Sequence, residues 1–368
     1  MRRTFLIAQV FIFSVAVWLV TCKPTPQPVN LPKVGSGIVS WGDNRSGQLG
    51  DGSTASNRAF VGAINIAGAW NAIAAGTGHS LVLKTDGTVW AWGENGKGQL
   101  GIGTTNDART PYTAQISDVV AIAAGGDHSL ALKSNGTVWA WGDRRHLQLG
   151  EGAVSLYSLI PIRVIEGLPA TPQTYLNNII AIAAAGDHNL ALSNTNQIWG
   201  WGSDKFQESS GVGGGLGAIA PDGTNVLFPQ PLQGVTGKIV AIACGTNHSL
   251  ALTDDGRAWA WGHNDQGQLG DSTFVDPFAV FPVKLLKGAK AIAAGGAHSL
   301  ALAEPSVNLD RATLDFGNVQ VNNSATLAVT LTNIGSVSVN VSSFASSNNT
   351  EFTFTSFVSK AAAVLNKI

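Results

Sequence analysis

Five histidines stand at regular intervals along this chain: His79, His128, His188, His248 and His298. Imidazole binds transition metals and moves protons near neutral pH. Such a set therefore invites two readings, a ring of metal ligands or a row of general bases. Around His128 the letters spell Asp127-His128-Ser129, the components of a nucleophilic triad. Spacing argues against both readings. Steps of 49 to 60 residues put one histidine in each repeated unit, whereas a metal site gathers its ligands into one small shell. Neighbours on a strand point to opposite faces, so Asp127, His128 and Ser129 cannot converge on one substrate. The expectation is a protein with no catalytic residue, no metal site and no cofactor. Each histidine should instead be a buried side chain hydrogen-bonded to backbone in its own turn.

The elements around these histidines repeat with them. Val119 to Gly142 reads V-V-A-I-A-A-G-G-D-H-S-L-A-L-K-S-N-G-T-V-W-A-W-G. A small apolar run is followed by two strand-like runs, and Asn135-Gly136 lies between those two. Both turn residues tolerate positive φ, the strongest short-range signal for a tight hairpin. Asp86-Gly87 and Asp255-Gly256 occupy the same slot in other copies, and Thr195-Asn196 does so in the third. A Trp-Gly pair recurs at Trp41, Trp92, Trp141, Trp201 and Trp261. Self-similarity at this period, with three or four strands per unit, predicts propeller blades. Ala-Ile-Ala-Ala-Gly suits the crowded inner strand. Paired tryptophans such as Trp139 and Trp141 share a strand face and should fill the wedge between blades. A buried tryptophan of about 200 Å² contributes at most ~5 kcal/mol.

The small-small-Gly-x-x-His-Ser-Leu core from Ala74 to Leu81, its copies, and the Trp-Gly and Gly-Gln-Leu-Gly elements resemble the regulator of chromosome condensation repeat family. The third copy departs from the pattern at Ala185 and Asn189. The resemblance covers about residues 37–303, within a propeller domain of residues 37–304, and implies a β-propeller; it assigns no single function, because one scaffold serves many. Ile38 to Gly42 lacks the preceding histidine core, and Ala291 to Leu302 lacks a following Trp-Gly. The two half-repeats predict an all-β, five-bladed ring closed by N- and C-terminal strands within one sheet. The family's rings most often have seven blades.

Composition narrows the function. The net charge is −1 and charged residues make up 12% of the chain, about half the usual share. No basic block is present, which argues against phosphate-driven nucleic-acid binding. Residues 1–22 read as a signal peptide: Arg2 and Arg3 precede an apolar run from Phe5 to Val20. Leu19-Val20-Thr21-Cys22 resembles a bacterial lipoprotein cleavage box, which would make Cys22 the lipidated residue and supply the chain's membrane attachment. Residues 23–36 form a proline-rich linker suited to a spacer. Cys244, in a slot held elsewhere by alanine, should be a buried structural thiol. Gly213-x-Gly215-x-x-Ala218 has the letters of a dinucleotide fingerprint without the strand-to-helix context that gives them meaning.

Residues 305–368 lose tryptophan and gain Ser, Thr, Val and Asn. Leu314 to Val319 and Ala328 to Gly335 resemble the Hydin-type immunoglobulin-like domains of bacterial surface proteins, which implies a partial Ig-like β-sandwich. Lys360 to Ile368 reads as helical or frayed.

Two connections between blades, Glu151 to Asn178 and Ser203 to Gly237, are longer than the rest. They could form a partner-binding rim anchored by Tyr157 and Phe206, with Arg144, Arg145 and His146 beside them, since aromatic and Arg residues dominate interface hot spots. The expected function is a secreted or lipid-anchored, non-catalytic propeller scaffold of the bacterial cell envelope. It would be monomeric and bind another protein. A structural envelope spacer and a polysaccharide-acting propeller enzyme are the alternatives. The latter would need convergent carboxylates near the axis.

Overall fold

The computed structural model describes residues 38–56, 58–64, 66–152, 155–166, 174–203, 216, 225–275, 280–283, 286, 288–304, 307–309, 325–333, 352–358 and 362–367. All regular elements among them are β-strands. They fall into two compact units, the larger holding the described residues of 38–283 and 291–301, the smaller those of 286–290 and 302–367.

The larger unit is a series of antiparallel sheets. The first has two strands, β1 (Ile38–Gly42) and β2 (Arg58–Ile64). Four sheets of four strands follow. They are β3 (Trp70–Ala75), β4 (His79–Lys84), β5 (Val89–Gly93) and β6 (Ala108–Thr113); then β7 (Val119–Ala124), β8 (His128–Lys133), β9 (Val138–Asp143) and β10 (Tyr157–Arg163). Next come β11 (Ile179–Ala185), β12 (His188–Ser193), β13 (Ile198–Gly202) and β14 (Val226–Pro231). The last of the four holds β15 (Ile239–Cys244), β16 (His248–Thr253), β17 (Ala258–Gly262) and β18 (Phe281–Pro282). β19 (Ala289–Ala294) and β20 (Ser299–Ala303) form a final two-stranded sheet.

Each sheet is a meander whose register repeats. His79 lies opposite Gly93, His128 opposite Gly142, His188 opposite Gly202 and His248 opposite Gly262. The Asp-Gly and Asn-Gly turns form as the sequence predicts. Gly87 and Gly136 take φ of 80° and 79°, and Asn196 takes 67° in the slot where the third repeat lacks glycine. These turns also tie each sheet to the next. Val119 donates its N–H to the Gly87 carbonyl, Ile179 to that of Gly136, and Ile239 to Asn196 Oδ1. The second tryptophan of each pair, Trp92, Trp141, Trp201 or Trp261, is fully buried, while Trp90, Trp139 and Trp199 are only partly so. Cys244 is a buried free thiol, as its alanine slot implied, and burial pushes its ionisation up.

Three expectations are corrected. The two end half-repeats do not share a sheet: β1–β2 and β19–β20 stay separate. Accordingly Trp41 is 66% exposed and Leu300 64% exposed, where the equivalent internal residues Trp141 and Leu130 are buried. The two long connections are not loops throughout. Each contributes its blade's outer strand, β10 or β14, which proline content had disguised as irregular chain. The C-terminal end is not helical. In the smaller unit, β21 (Val307–Leu309), β22 (Ala325–Asn333), β23 (Phe352–Val358) and β24 (Ala362–Lys367) form one sheet in the order β21-β22-β24-β23. β24 gains hydrogen-bonded neighbours on both sides, which outweighs the modest helix preference of Ala-Ala-Val-Leu.

Candidate functional site

The histidines hold the sheets together. His79 Nε2 lies 2.9 Å from Ser129 Oγ in the next sheet, His128 Nε2 2.7 Å from Asn189 Oδ1, His188 Nε2 3.0 Å from Ser249 Oγ, and His248 Nε2 2.9 Å from Ser299 Oγ. Their partners are therefore side chains of the neighbouring sheet, not the backbone of their own turn as the sequence suggested. The hydroxyl is already spent as a donor, since Ser129 Oγ donates to the Gln99 carbonyl at 2.8 Å. So the imidazole must supply the hydrogen from Nε2. Trp141 Nε1 donates to the same Gln99 carbonyl, and Trp92 and Trp201 do likewise to Gln48 and Gln148. Asn189 explains the departure in the third repeat: its Oδ1 accepts from His128 while its Nδ2 donates to the Gln148 carbonyl at 2.8 Å. An amide thus does both jobs of the serine.

The glycine three residues before each histidine makes room for the ring. A Cβ on Gly76, Gly125, Gly245 or Gly295 would collide with the imidazole of His79, His128, His248 or His298. In the third repeat Ala185 extends β11, and the next residue, Gly186, takes φ of 51° to make the turn. Burial drives His79, His128, His188 and His248 toward the neutral form. His79 is pulled down to about 4 and His188 to about 3, and burial is the largest influence on both. His79, His128, His188 and His248 are thus linkers between neighbouring sheets.

The face that can meet a partner is built by the turns leading into the histidines and by the ends of the third strands. A repeated backbone bond joins the two. Glu94 N–H donates to the Gly78 carbonyl, Asp143 to Asp127, Ser203 to Asp187 and His263 to Asn247, at 2.8 to 2.9 Å. Along the inner edge the turns also bond sheet to sheet: Thr77 N–H donates to the Gly126 carbonyl and Gly126 N–H to that of Gly186. On this fixed frame the side chains differ from repeat to repeat. Arg145 grips Asp143 with Nε 3.0 Å from Oδ1 and Nη2 2.8 Å from Oδ2. Lys97 pairs with Asp127 and lies 3.9 Å from Asp143 Oδ2. His146 Nδ1 stands 2.9 Å from Asp187 Oδ2. Burial raises Asp143, but the Arg145 hydrogen bonds and the Lys97 charge outweigh it, so its carboxyl sits below the usual range. Glu94 is raised, by burial first and then by the Asp127 charge. Glycine at 78 leaves space for that carboxylate over the turn.

Of the residues picked out by sequence, Arg145 and His146 lie on this face. Tyr157, 41% exposed, lies across from Asp143 at the start of β10, next to Leu156 at 63%. Arg144 turns inward. Its guanidinium pairs with Glu151 and Ser155, filling the place where Asn95 and Asn264 clamp their loops. Leu147 adopts the positive φ that Gly98 and Gly267 adopt in other repeats. Phe206 and the lipidation candidate Cys22 lie outside the described residues, as do the leader, the linker and the glycine-rich stretch around Gly213. Sequence reasoning passed over Lys97, Asp187 and Glu94, and weighed Asp127 only as a letter of a triad. Their signal was positional: they occupy the variable slots beside the recurring Trp-Gly and x-His elements.

Comparison with known proteins places this architecture. The RCC1-like domain family matches residues 36–333. The chain is 31% identical over 267 residues to the ultraviolet-B receptor UVR8 of Arabidopsis thaliana, covering 71% of this chain and 56% of that protein. It is 31% identical over 278 residues to the human E3 ubiquitin-protein ligase HERC2, covering 72% of this chain but 5% of the ligase. Among solved structures, human WBSCR16 aligns with a TM-score of 0.60 at 24% identity, over 73% of this chain and 67% of that one. Prp20p of Saccharomyces cerevisiae, characterised for its binding to Gsp1p and histones, aligns with a TM-score of 0.56 at 23% identity, over 72% of this chain and 64% of that one. The chain thus spans little more than half of UVR8 and a small fraction of HERC2. The structural likenesses establish the β-propeller fold.

Proposed function

The chain belongs to the RCC1-like domain family, and on that premise we propose that it is a non-catalytic propeller scaffold that binds another protein at the bacterial cell envelope. One observation carries the reading. On one face an identical backbone frame recurs, while the side chains mounted on it change from repeat to repeat: Glu94 and Lys97, then Asp127, Asp143 and Arg145, then His146 and Asp187. Exposed Leu156 and Tyr157 border that set. A rigid frame with an individual charge pattern and an aromatic anchor is the composition of a recognition surface. Among the described residues of this face, Asp127 and Asp143 are engaged by Lys97 and Arg145 rather than paired as an acid and a base.

Residues 1–22 deliver the chain to the envelope, Cys22 carries the lipid, and residues 23–36 hold the propeller away from the membrane. Residues 305–368 form a partial Ig-like module. The leader's charge and hydropathy pattern supports the delivery to the envelope, and the Hydin-like runs support the Ig-like module.

The test is capture from envelope extracts by the full chain, followed by titration of the purified captured protein. Tyr157→Ala and Arg145→Glu should each weaken binding about tenfold or more, or ~1.4 kcal/mol. Capture that does not saturate, or equal affinity of both variants with the parent chain, would count against this surface.

A further inference from the structure

Each internal sheet is built by pairing a second strand with a third, and two contacts tie it to its neighbours: a tryptophan seated on the Gln-Leu-Gly turn of the preceding repeat, and a histidine bonded to the next serine or asparagine. All three recur inside the chain. Trp92, Trp141 and Trp201 donate to the carbonyls of Gln48, Gln99 and Gln148 and pack over Gly50, Gly101 and Gly150. His79, His128, His188 and His248 each find a hydroxyl or amide in the following sheet.

At the two ends the same components stand unmatched, and they are complementary. Among the described residues, β19 and β20 are a first and a second strand without a third. Among the described residues, β1 and β2 are a third and a fourth strand without the first two. Trp41 occupies the position of Trp141 yet is 66% exposed, with no Gln-Leu-Gly turn seated under it among the described residues. The Gln268 carbonyl accepts only from Ser299 Oγ at 2.7 Å, with no tryptophan donating beside it among the described residues. His298 is exposed, with no hydroxyl partner among the described residues. Ser80 is half-buried, where Ser129, Asn189 and Ser249, which receive a histidine, are fully buried.

We propose that this face is a self-association site: β20 of one copy pairs with β1 of a second copy, head to tail. Register follows from the internal sheets. Ala251 lies opposite Trp259 and His248 opposite Gly262, so Ala301 of one copy lies opposite Val39 of the next, and His298 opposite Gly42. Trp41 of the second copy then donates to the Gln268 carbonyl of the first, and His298 of the first donates to Ser80 of the second. The occupant is a second copy because the joint is the chain's own and is already built repeatedly within it. An unrelated protein would have to reproduce both the strand edge and the histidine–serine link. The contact is heterologous, so it generates closed rings or open chains of copies rather than a two-fold dimer. It also covers two strand edges that would otherwise invite indiscriminate pairing. The proposal is independent of the partner-binding face around Arg145 and Tyr157.

The experiment uses the full chain in mild detergent, with Cys22→Ser, Val39→Cys and Ala301→Cys, oxidised at increasing protein concentration and run on a non-reducing gel. The expected result is a reducible ladder of dimers and larger species whose intensity rises with concentration. Adding Trp41→Arg should reduce the ladder at least tenfold, while circular dichroism confirms the unchanged fold. A cystine formed within one chain, seen as a monomer of altered mobility, would overturn the proposal in favour of closure by the chain's own ends. Absence of any cystine, or a ladder indifferent to Trp41→Arg, would overturn it as well.

Discussion

Acid should unfold this propeller through its histidines before its carboxylates matter. Burial holds His79 and His248 at about 4 and His188 at about 3, against about 6.5 for a free imidazole. His128 is lowered too, chiefly by burial, with the Asn189 hydrogen bond and nearby aspartates acting the other way. The sign follows from proton counts. Between about pH 6.5 and about pH 4 the unfolded chain carries protons on these rings that the folded chain refuses. Stability is therefore full above about pH 6.5, falls as pH drops, and stops falling only below the folded values. Each group contributes a slope of about 1.4 kcal/mol per pH unit, so His79, His188 and His248 together give about 4 kcal/mol per unit near pH 5. A drop of one and a half units removes roughly 5 kcal/mol, comparable to the whole stability of many domains. Glu94 and Glu151, both raised chiefly by burial, act in the opposite sense, gaining stability as they protonate in the folded state.

The assay is the urea midpoint, followed by tryptophan fluorescence, at intervals from pH 7.5 to pH 5. His79→Gln, which keeps a side-chain donor but cannot titrate, should reduce the slope by roughly a quarter, since His128, His188 and His248 still titrate. A midpoint that stays constant from pH 7 to pH 5 would refute the reasoning, because it would mean that the rings accept protons in place.

Two further predictions address the joint itself. Ser129→Ala leaves His79 Nε2 without an acceptor and should cost about 1–3 kcal/mol, whereas Ser129→Asn should cost under about 1 kcal/mol, because Asn189 already fills that role in the following sheet. Equal losses in thermal melts of the two variants would show that shape, not hydrogen bonding, matters there. Gly125→Ala pushes a methyl group into the His128 ring and should lower stability by about 1–3 kcal/mol; an unchanged melting temperature would mean that the turn can relax as the Ala185 turn does.

The sequence by itself determined the local plan. Alternating runs, Asn-Gly and Asp-Gly turns and the recurring Trp-Gly set each meander and its register, because hairpin geometry depends on neighbours in sequence. The inner position of the alanine strands and the burial of Cys244 followed from the same periodicity. Three things were decided only by tertiary structure, each because it depends on which residues meet once the chain has folded. The first is the partner of each histidine: Ser129 and Asn189 look alike in no propensity scale, and only their shared placement between a ring and a glutamine carbonyl makes them equivalent. The second is the division of Arg144 from Arg145, adjacent letters of which one is drawn under its loop by Glu151 while the other lies on the surface against Asp143. The third is the fate of the two half-repeats. Their letters show that they complement one another, but pairing is a matter of which strand edges meet in space, and in the folded chain those of β1 and β20 do not.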